Sequence, residues 1–308
     1  MKSTAVILGS INFDIVAKAE RLPAKGETVG GDSIDMFVGG KGSNQTAQMS
    51  LLGLETHFVG QIGDDDAGKS VYKALQEKGV DTRHLEISNE FRTGCCSIVV
   101  DTNGDNTLVY APGANHNIPI GLVENARILI EKADIFVTQN EINTMAMAHG
   151  LSIAKTAGVI TVLNPAPAIP LDDGLYSLID YIVPNETECT VYTGIDQCGI
   201  AQNDWTRKSA KWFLDKGVKN VCITLGEKGV YFCNESEEHY LPAIPVKAVD
   251  TTAAGDAFIG GFSYGLASKK PLLECLQIGN ACGALAATVL GAQNSLQDMN
   301  SVRKILKL

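Results

Sequence analysis

An acidic residue directly after three small ones, in the stretch DTTAAGDAF at 250–258, has the plainest chemical use in this chain. Ala253, Ala254 and Gly255 lead into an apolar run that reads as a helix. A helix start exposes N–H groups and the positive end of the helix dipole. Small side chains leave those groups open to an anion, such as the charge that builds on a phosphoryl group in transfer. Asp256 stands beside that pocket as a carboxylate able to take a hydroxyl proton. The plain alternative is a helix cap without chemistry.

Four further stretches offer groups that hold a ligand. In GSINFD at 9–14, Asn12 and Asp14 project to the same side of an extended chain and present an amide and a carboxylate to vicinal hydroxyls. Turn formation is the competing use of such residues. In FVGGKGSNQTAQMSLLG at 37–53, Gly39, Gly40 and Gly42 allow close backbone approach to a ligand, and Lys41 and Asn44 offer donors where a helix begins. VPNETE at 183–188 spaces Asn185 and Glu188 as in a capping box, or supplies the single carboxylate that a largely hydrated Mg²⁺ takes. ITLGEKGV at 223–230 makes Thr224, Gly226 and Gly229 either an open turn for a nucleotide or a tight β-hairpin.

One motif misleads. GDDDAGKS at 63–70 matches the phosphate-loop pattern GxxxxGK[ST]. Its three acids would sit in the phosphate cradle, where each like-charge pair at about 4 Å costs ~1–4 kcal/mol at effective dielectrics of 80 to 20. Asp64, Asp65 and Asp66 suit the first turn of a helix instead. A P-loop NTPase stays as the minor mechanistic alternative.

Positioning these groups takes a scaffold, and its outline is visible. Short β-branched runs recur at 5–9, 57–63, 134–139, 159–165, 180–185 and 220–226. Helix-like stretches lie between them, at Gly68–Lys78, Ile142–Ala157, Thr206–Lys216 and Asp256–Ala267. Continuous apolar strands alternating with helices predict an α/β fold whose central, mostly parallel sheet is flanked by helices on both faces, with ligands beyond the strands' carboxyl ends. Segments at about 11–38 and 90–111 alternate instead, with an Asn103–Gly104 turn, and predict antiparallel hairpins in a small β-sheet lid. With no repeat or linker, 1–308 reads as a single domain.

Composition narrows the function. A balance of 25 Lys+Arg against 35 Asp+Glu argues against nucleic acid or an anionic membrane as partner. Five scattered histidines and eight cysteines without CxxC spacing argue against zinc and for buried reduced thiols. The absence of a leader-like or membrane-length apolar run gives a cytoplasmic expectation.

Taken in order, GSINFD, FVGGKGSNQ, GQIGDDDAG, NPAPA at 164–168, PNETE, TLGEKGV and DTTAAGDAF resemble the PfkB carbohydrate kinases, in their ribokinase-like branch, over nearly the whole chain. The resemblance implies a ribokinase-like fold with a β lid that also clasps a homodimer. It implies ATP-dependent phosphorylation of a sugar's primary 5-hydroxyl, with D-ribose first and 2-deoxyribose, another pentose or a nucleoside as alternatives. By position Asp256 is then the base and the amides of Ala253, Ala254 and Gly255 the anion hole. Asn12, Asp14, Gly39, Gly40, Lys41, Asn44 and Glu141 hold the sugar, and Asn185, Thr224, Gly226, Gly229, Gly255 and Asn280 contact ATP. Glu188 organises Mg²⁺ through water. An activating monovalent cation, usually K⁺, falls to Asp250, Thr252, Ala286, Val289, Gly291 and Ser295. The usual GAGD reads AAGD here, and Cys95 and Cys96 occupy a lid stretch expected to pack on the sugar. A nonenzymatic sugar sensor is the alternative from another class, and an intact Asp256 speaks against it.

Overall fold

The structure, a computed structural model, describes residues 2–307. In chain order its strands are β1 (Thr4–Leu8), β2 (Asn12–Ala19), β3 (Gly31–Gly39), β4 (Glu55–Gly63), β5 (Asp81–Ser88), β6 (Gly94–Val100), β7 (Asn106–Ala111), β8 (Ile135–Gln139), β9 (Ile160–Asn164), β10 (Tyr181–Ile182), β11 (Asn220–Thr224), β12 (Val230–Asn234) and β13 (Glu238–Leu241). The helices are α1 (Lys41–Leu52), α2 (Asp66–Glu77), α3 (Ile120–Asn125), α4 (Arg127–Glu131), α5 (Thr144–Thr156), α6 (Asp173–Tyr176), α7 (Glu186–Thr193), α8 (Gln202–Asp215), α9 (Ala254–Ala267), α10 (Leu272–Ala286) and α11 (Met299–Leu306).

Nine strands form the large sheet in the order β13-β12-β11-β10-β9-β8-β1-β4-β5. It is parallel from β5 to β11, and β12 and β13 extend it as an antiparallel edge. β1 shows why the strand reads as unbroken apolar sequence. Val6 and Leu8 pack among residues of α5 and α8, including Met147, Trp205 and Phe213, while Ala5 and Ile7 face Met49 of α1, Val71 and Leu75 of α2 and Phe262 of α9. Both faces are buried, so alternation disappears. The expected strand at 180–185 contracts to Tyr181–Ile182, because Pro184 has no N–H to donate; Asn185 alone bridges onward, to Thr224.

The second sheet has four strands in the order β3-β2-β6-β7. Its two antiparallel pairs are the expected hairpins, and the turn at Asn103–Gly104 is held by Asp101, whose carboxylate accepts the N–H groups of Asn103 and Asp105 at 2.8 and 3.0 Å. The parallel pairing of β2 with β6 is new relative to the sequence reading. No helix among the described residues is long and apolar enough to cross a membrane.

The phosphate-loop match dissolves in this fold. Asp65 caps α2 by accepting the Gly68 N–H at 2.8 Å, and its carboxylate also takes the Thr93 N–H at 2.9 Å and hydroxyl at 2.7 Å. The lysine of the motif, Lys69, lies exposed against Asp66. A carboxylate fills the place a phosphate would need. Asp65→Ala should therefore destabilise the fold by about 1–3 kcal/mol in denaturant unfolding, while Lys69→Ala should stay within about 0.5 kcal/mol of the parent. A large loss of stability or turnover in Lys69→Ala would contradict this assignment.

Candidate active site

The carboxyl ends of β1, β8, β9, β10 and β11 open on one side of the large sheet, where the N-termini of α1 and α9 meet them. α9 starts at Ala254 with Ala253 as its cap residue, in the left-handed region at φ 60°. A non-glycine residue there costs about 1–2 kcal/mol. The Ala254 N–H donates back to the Thr251 carbonyl at 3.2 Å, whereas the amides of Ala253 and Gly255 have no partner among the described residues. The expected anion hole is thus narrowed, in this state, from three donors to two of those named.

Asp256 does not cap its own helix. Its two carboxylate oxygens accept from Asn44 Nδ2 at 2.9 Å and Gln45 Nε2 at 3.0 Å, both on α1. Gln45 is itself oriented: its Nε2 also lies 3.2 Å from Asn164 Oδ1, and its Oε1 accepts from Gln139 Nε2 at 2.8 Å. This buried run of amides ties β8 and β9 to the acid. The sequence reading missed Gln45, Gln139 and Asn164; the usable signal was a set of polar residues at the ends of apolar strands.

The glycines around Lys41 permit close packing of chain on chain. A Cβ at Gly39 would collide with the Asp14 carboxylate, one at Gly40 would lie 2.7 Å from Asn12 N, and one at Gly42 would lie 2.6 Å from Ser10 N. Gly40 also sits at φ 91°. These residues let α1 close on the segment after β1, so chain meets chain. The Glu141 carboxylate joins the same junction, accepting the Ser10 hydroxyl and, at 3.1 Å, the Lys41 N–H. Asn12, 4% exposed, has its oxygen fixed by Asn115 Nδ2 at 2.8 Å.

Charge accumulates here. Burial, reinforced by the Glu141 and Asp256 carboxylates, raises the pKa of Asp14 from 3.8 to about 7. Burial opposes the Lys41 ammonium, but Asp256, Glu141 and Glu188 outweigh it and the lysine pKa rises. Burial also raises Glu188, against the pull of the Asn185 N–H and Lys41. Asn185 and Glu188 form the full capping box, with 2.8 Å bonds in both directions between backbone and side chain.

Thr224, Gly226 and Gly229 lie on the β11–β12 hairpin, so the bland reading of that turn holds geometrically. Gly229, at φ 109°, packs so closely on the Leu241 carbonyl that no side chain fits. Asn280 on α10 donates to the Pro242 carbonyl at 2.7 Å. Gly229 and Asn280 thus meet the same stretch around Pro242. Nearby, Asp250 accepts the N–H groups of Thr252 and Gly291 at 2.9 Å each, and the Ala287 carbonyl accepts from Val249 and Asp250. That brings Asp250 and Thr252 beside the 286–295 segment carrying Ala286, Val289, Gly291 and Ser295.

In the lid, only one of the two cysteines has the expected orientation. Cys96 pairs with Asp14 across β6 and β2 and shares its face, whereas Cys95 pairs with Phe13 on the opposite face. Burial, with Asp14 adding, pushes the Cys96 thiol up to about 11, so it stays protonated.

The family model described as pfkB family carbohydrate kinase matches residues 2–299. A ribokinase of Haemophilus influenzae is 37% identical over 307 residues, covering 100% of this chain and 99% of the relative. A ribokinase of Staphylococcus aureus is also 37% identical, covering 99% of this chain and 100% of its own. Among solved structures, Arabidopsis thaliana ribokinase complexed with ribose and ATP superposes with a TM-score of 0.94 at 32% identity, covering 100% of both chains.

An acid whose pKa is raised by folding keeps its proton longer in the folded chain, so its contribution erodes as pH climbs from about 4 to about 7. Asp14→Asn removes that loss. The ligand-free variant should match the parent near pH 4 and exceed it by roughly 1–3 kcal/mol at pH 8 in denaturant unfolding. A difference that does not change with pH would refute the burial of Asp14 among like charges.

Proposed function

The chain belongs to the pfkB family of carbohydrate kinases, and on that premise we propose that it is a ribokinase, passing the γ-phosphoryl group of ATP to the 5-hydroxyl of D-ribose. The observation that carries this reading is the setting of Asp256: a carboxylate aimed by Asn44 and Gln45, next to the unpartnered amides of Ala253 and Gly255. Asn12, Asp14, Gly39, Gly40, Lys41, Asn44 and Glu141 hold the sugar on one side of it. Asn185, Thr224, Gly226, Gly229, Gly255 and Asn280 receive ATP on the other. Ribose is favoured over less hydroxylated sugars because a site built from so many polar groups penalises a ligand that leaves one unpaired.

Asp256 accepts the 5-hydroxyl proton as that oxygen bonds to the γ-phosphorus, and the bond from phosphorus to the bridging oxygen breaks with its electron pair leaving on ADP. The Ala253 and Gly255 amides, with the α9 dipole, hold the charge on the transferring group. Lys41 offsets the surrounding carboxylates.

Mg²⁺ arriving with the nucleotide supplies charge neutralisation on the phosphate oxygens. Such an ion takes only one or two protein carboxylates when phosphate and water complete its shell. Glu188 would orient its waters: both carboxylate oxygens accept from Asn185, and each keeps a lone pair. K⁺ would take Asp250, whose carboxylate is tied to the 286–295 segment by the Gly291 N–H, with oxygens of Thr252, Ala286, Val289, Gly291 and Ser295 as its other ligands. A homodimer through the lid is supported by the lid's outward row, where Met36 and Val109 are 63% and 71% exposed. Eight unpaired cysteines suit a reducing cytoplasm.

The test is ADP release with Mg·ATP, K⁺ and D-ribose. Asp256→Asn should lower kcat by about 10²–10⁴-fold while the ribose Kd stays within a few-fold. ADP release that needs no sugar, or that survives in Asp256→Asn, would refute the reading.

A further inference from the structure

The lid carries a polar group that none of these roles uses. Tyr110 on β7 is in register with Cys96 on β6, Cys96 with Asp14 on β2, and Asp14 with Phe37 on β3. In-register neighbours share a sheet face, so these four form one row across the lid. The direction of that face is fixed at two other points. The Phe37 ring packs on Gly291, and Asp14 lies among the Glu141 and Asp256 carboxylates.

The row's last member, Tyr110, ends in a hydroxyl that is shut off from bulk solvent and has no hydrogen-bond partner among the described residues. It lies beside the amides of Asn12 and Asn115. The Asn115 amide is already committed, its Nδ2 donating to Asn12 Oδ1 and to the Ile11 carbonyl and its Oδ1 accepting the Ile11 N–H, while Asn12 Nδ2 can only donate to the phenol oxygen and leaves its O–H unused. Burial, with Glu141 adding, raises the phenol's pKa, so the group is a neutral donor. A buried hydroxyl whose proton has no acceptor is unfavourable, and on the face that carries Asp14 a bound polyol would supply that acceptor.

We infer that Tyr110 reads one ring hydroxyl of the sugar from the lid side, and so sets which sugar this chain accepts. The inference rests on the sugar-kinase reading for its ligand class but adds a specificity residue that no motif contains. Cys96, one strand inward, is too short to reach as far and supplies the wall against which the sugar and the phenol pack.

The measurement is a cycle between the phenol and each sugar hydroxyl, using Tyr110→Phe against ribose and analogues lacking the hydroxyl at C1, C2 or C3. Both kcat/KM for ADP release and Kd by titration calorimetry are read. Removing one neutral hydrogen bond should raise KM and Kd for ribose about 5- to 10-fold with kcat within about twofold. For one of the three analogues the variant and the parent should be indistinguishable, because the bond is already gone. Ribose parameters within twofold of the parent, or an equal loss on all four sugars, would overturn the assignment. Titration separates the two claims: binding that depends on Tyr110 without turnover keeps this inference and refutes the kinase, while turnover indifferent to Tyr110→Phe does the reverse. A parent that binds none of the four sugars overturns both.

Discussion

Three carboxylates around one lysine, with a fourth beside two of them, set the terms for the rest of the molecule. Asp14, Glu141, Glu188 and Asp256 come from β2, the segment after β8, the start of α7 and the start of α9, and all but Asp14 act directly on Lys41. Left alone, such a group would spread apart, since each like-charge pair at close range is repulsive by about 1–4 kcal/mol in a partly screened setting. The fold holds it together by close backbone contact at Gly39, Gly40 and Gly42 and by the buried amides of Gln45, Gln139 and Asn164. Stored repulsion of this kind is found where a ligand relieves it.

The two sheets divide the labour. The large sheet is buried on both faces and anchors, through α7, α9 and the β11–β12 hairpin, Asp256 and the groups proposed to receive ATP. The small sheet contributes Asn12 and Asp14 from β2 and the Cys96–Tyr110 row beside them. On the proposed reading a sugar held between them would bond to both, so that binding would fix the lid against the body and exclude water from the transferring group. Met36 and Val109 on the outward row of the lid are exposed, while at the end of the small sheet next to Gly39 Phe13 and Val38 pack into the core with Tyr72 of α2.

The architecture was largely legible because its signals are local. Apolar strands between Gly, Pro and Asp marked β1, β4, β8, β9 and β11, and the small residues before Asp256 marked the start of α9 within two residues. The three acids of GDDDAGKS betrayed a helix cap inside an apparent phosphate loop. Long-range pairing was not legible. β2 meets β6 some eighty residues away in parallel, and that register alone decides that Cys96 rather than Cys95 faces Asp14. The same holds for Gln45, which reads as an ordinary helix residue until β8 and β9 bring Gln139 and Asn164 to it. The glycines were recognised but the chain contacts they permit were not, because close approach between two parts of one chain leaves the same trace as close approach to a ligand.

The most direct test of this account is a crystal structure of the protein with D-ribose and a nonhydrolysable ATP analogue. The account predicts the sugar between β2 and the start of α1, its 5-hydroxyl within about 3 Å of an Asp256 carboxylate oxygen, and the terminal phosphate over the N-terminus of α9. A terminal phosphate seated on Gly63–Ser70, or a sugar whose hydroxyls lie away from Asp256, would contradict it.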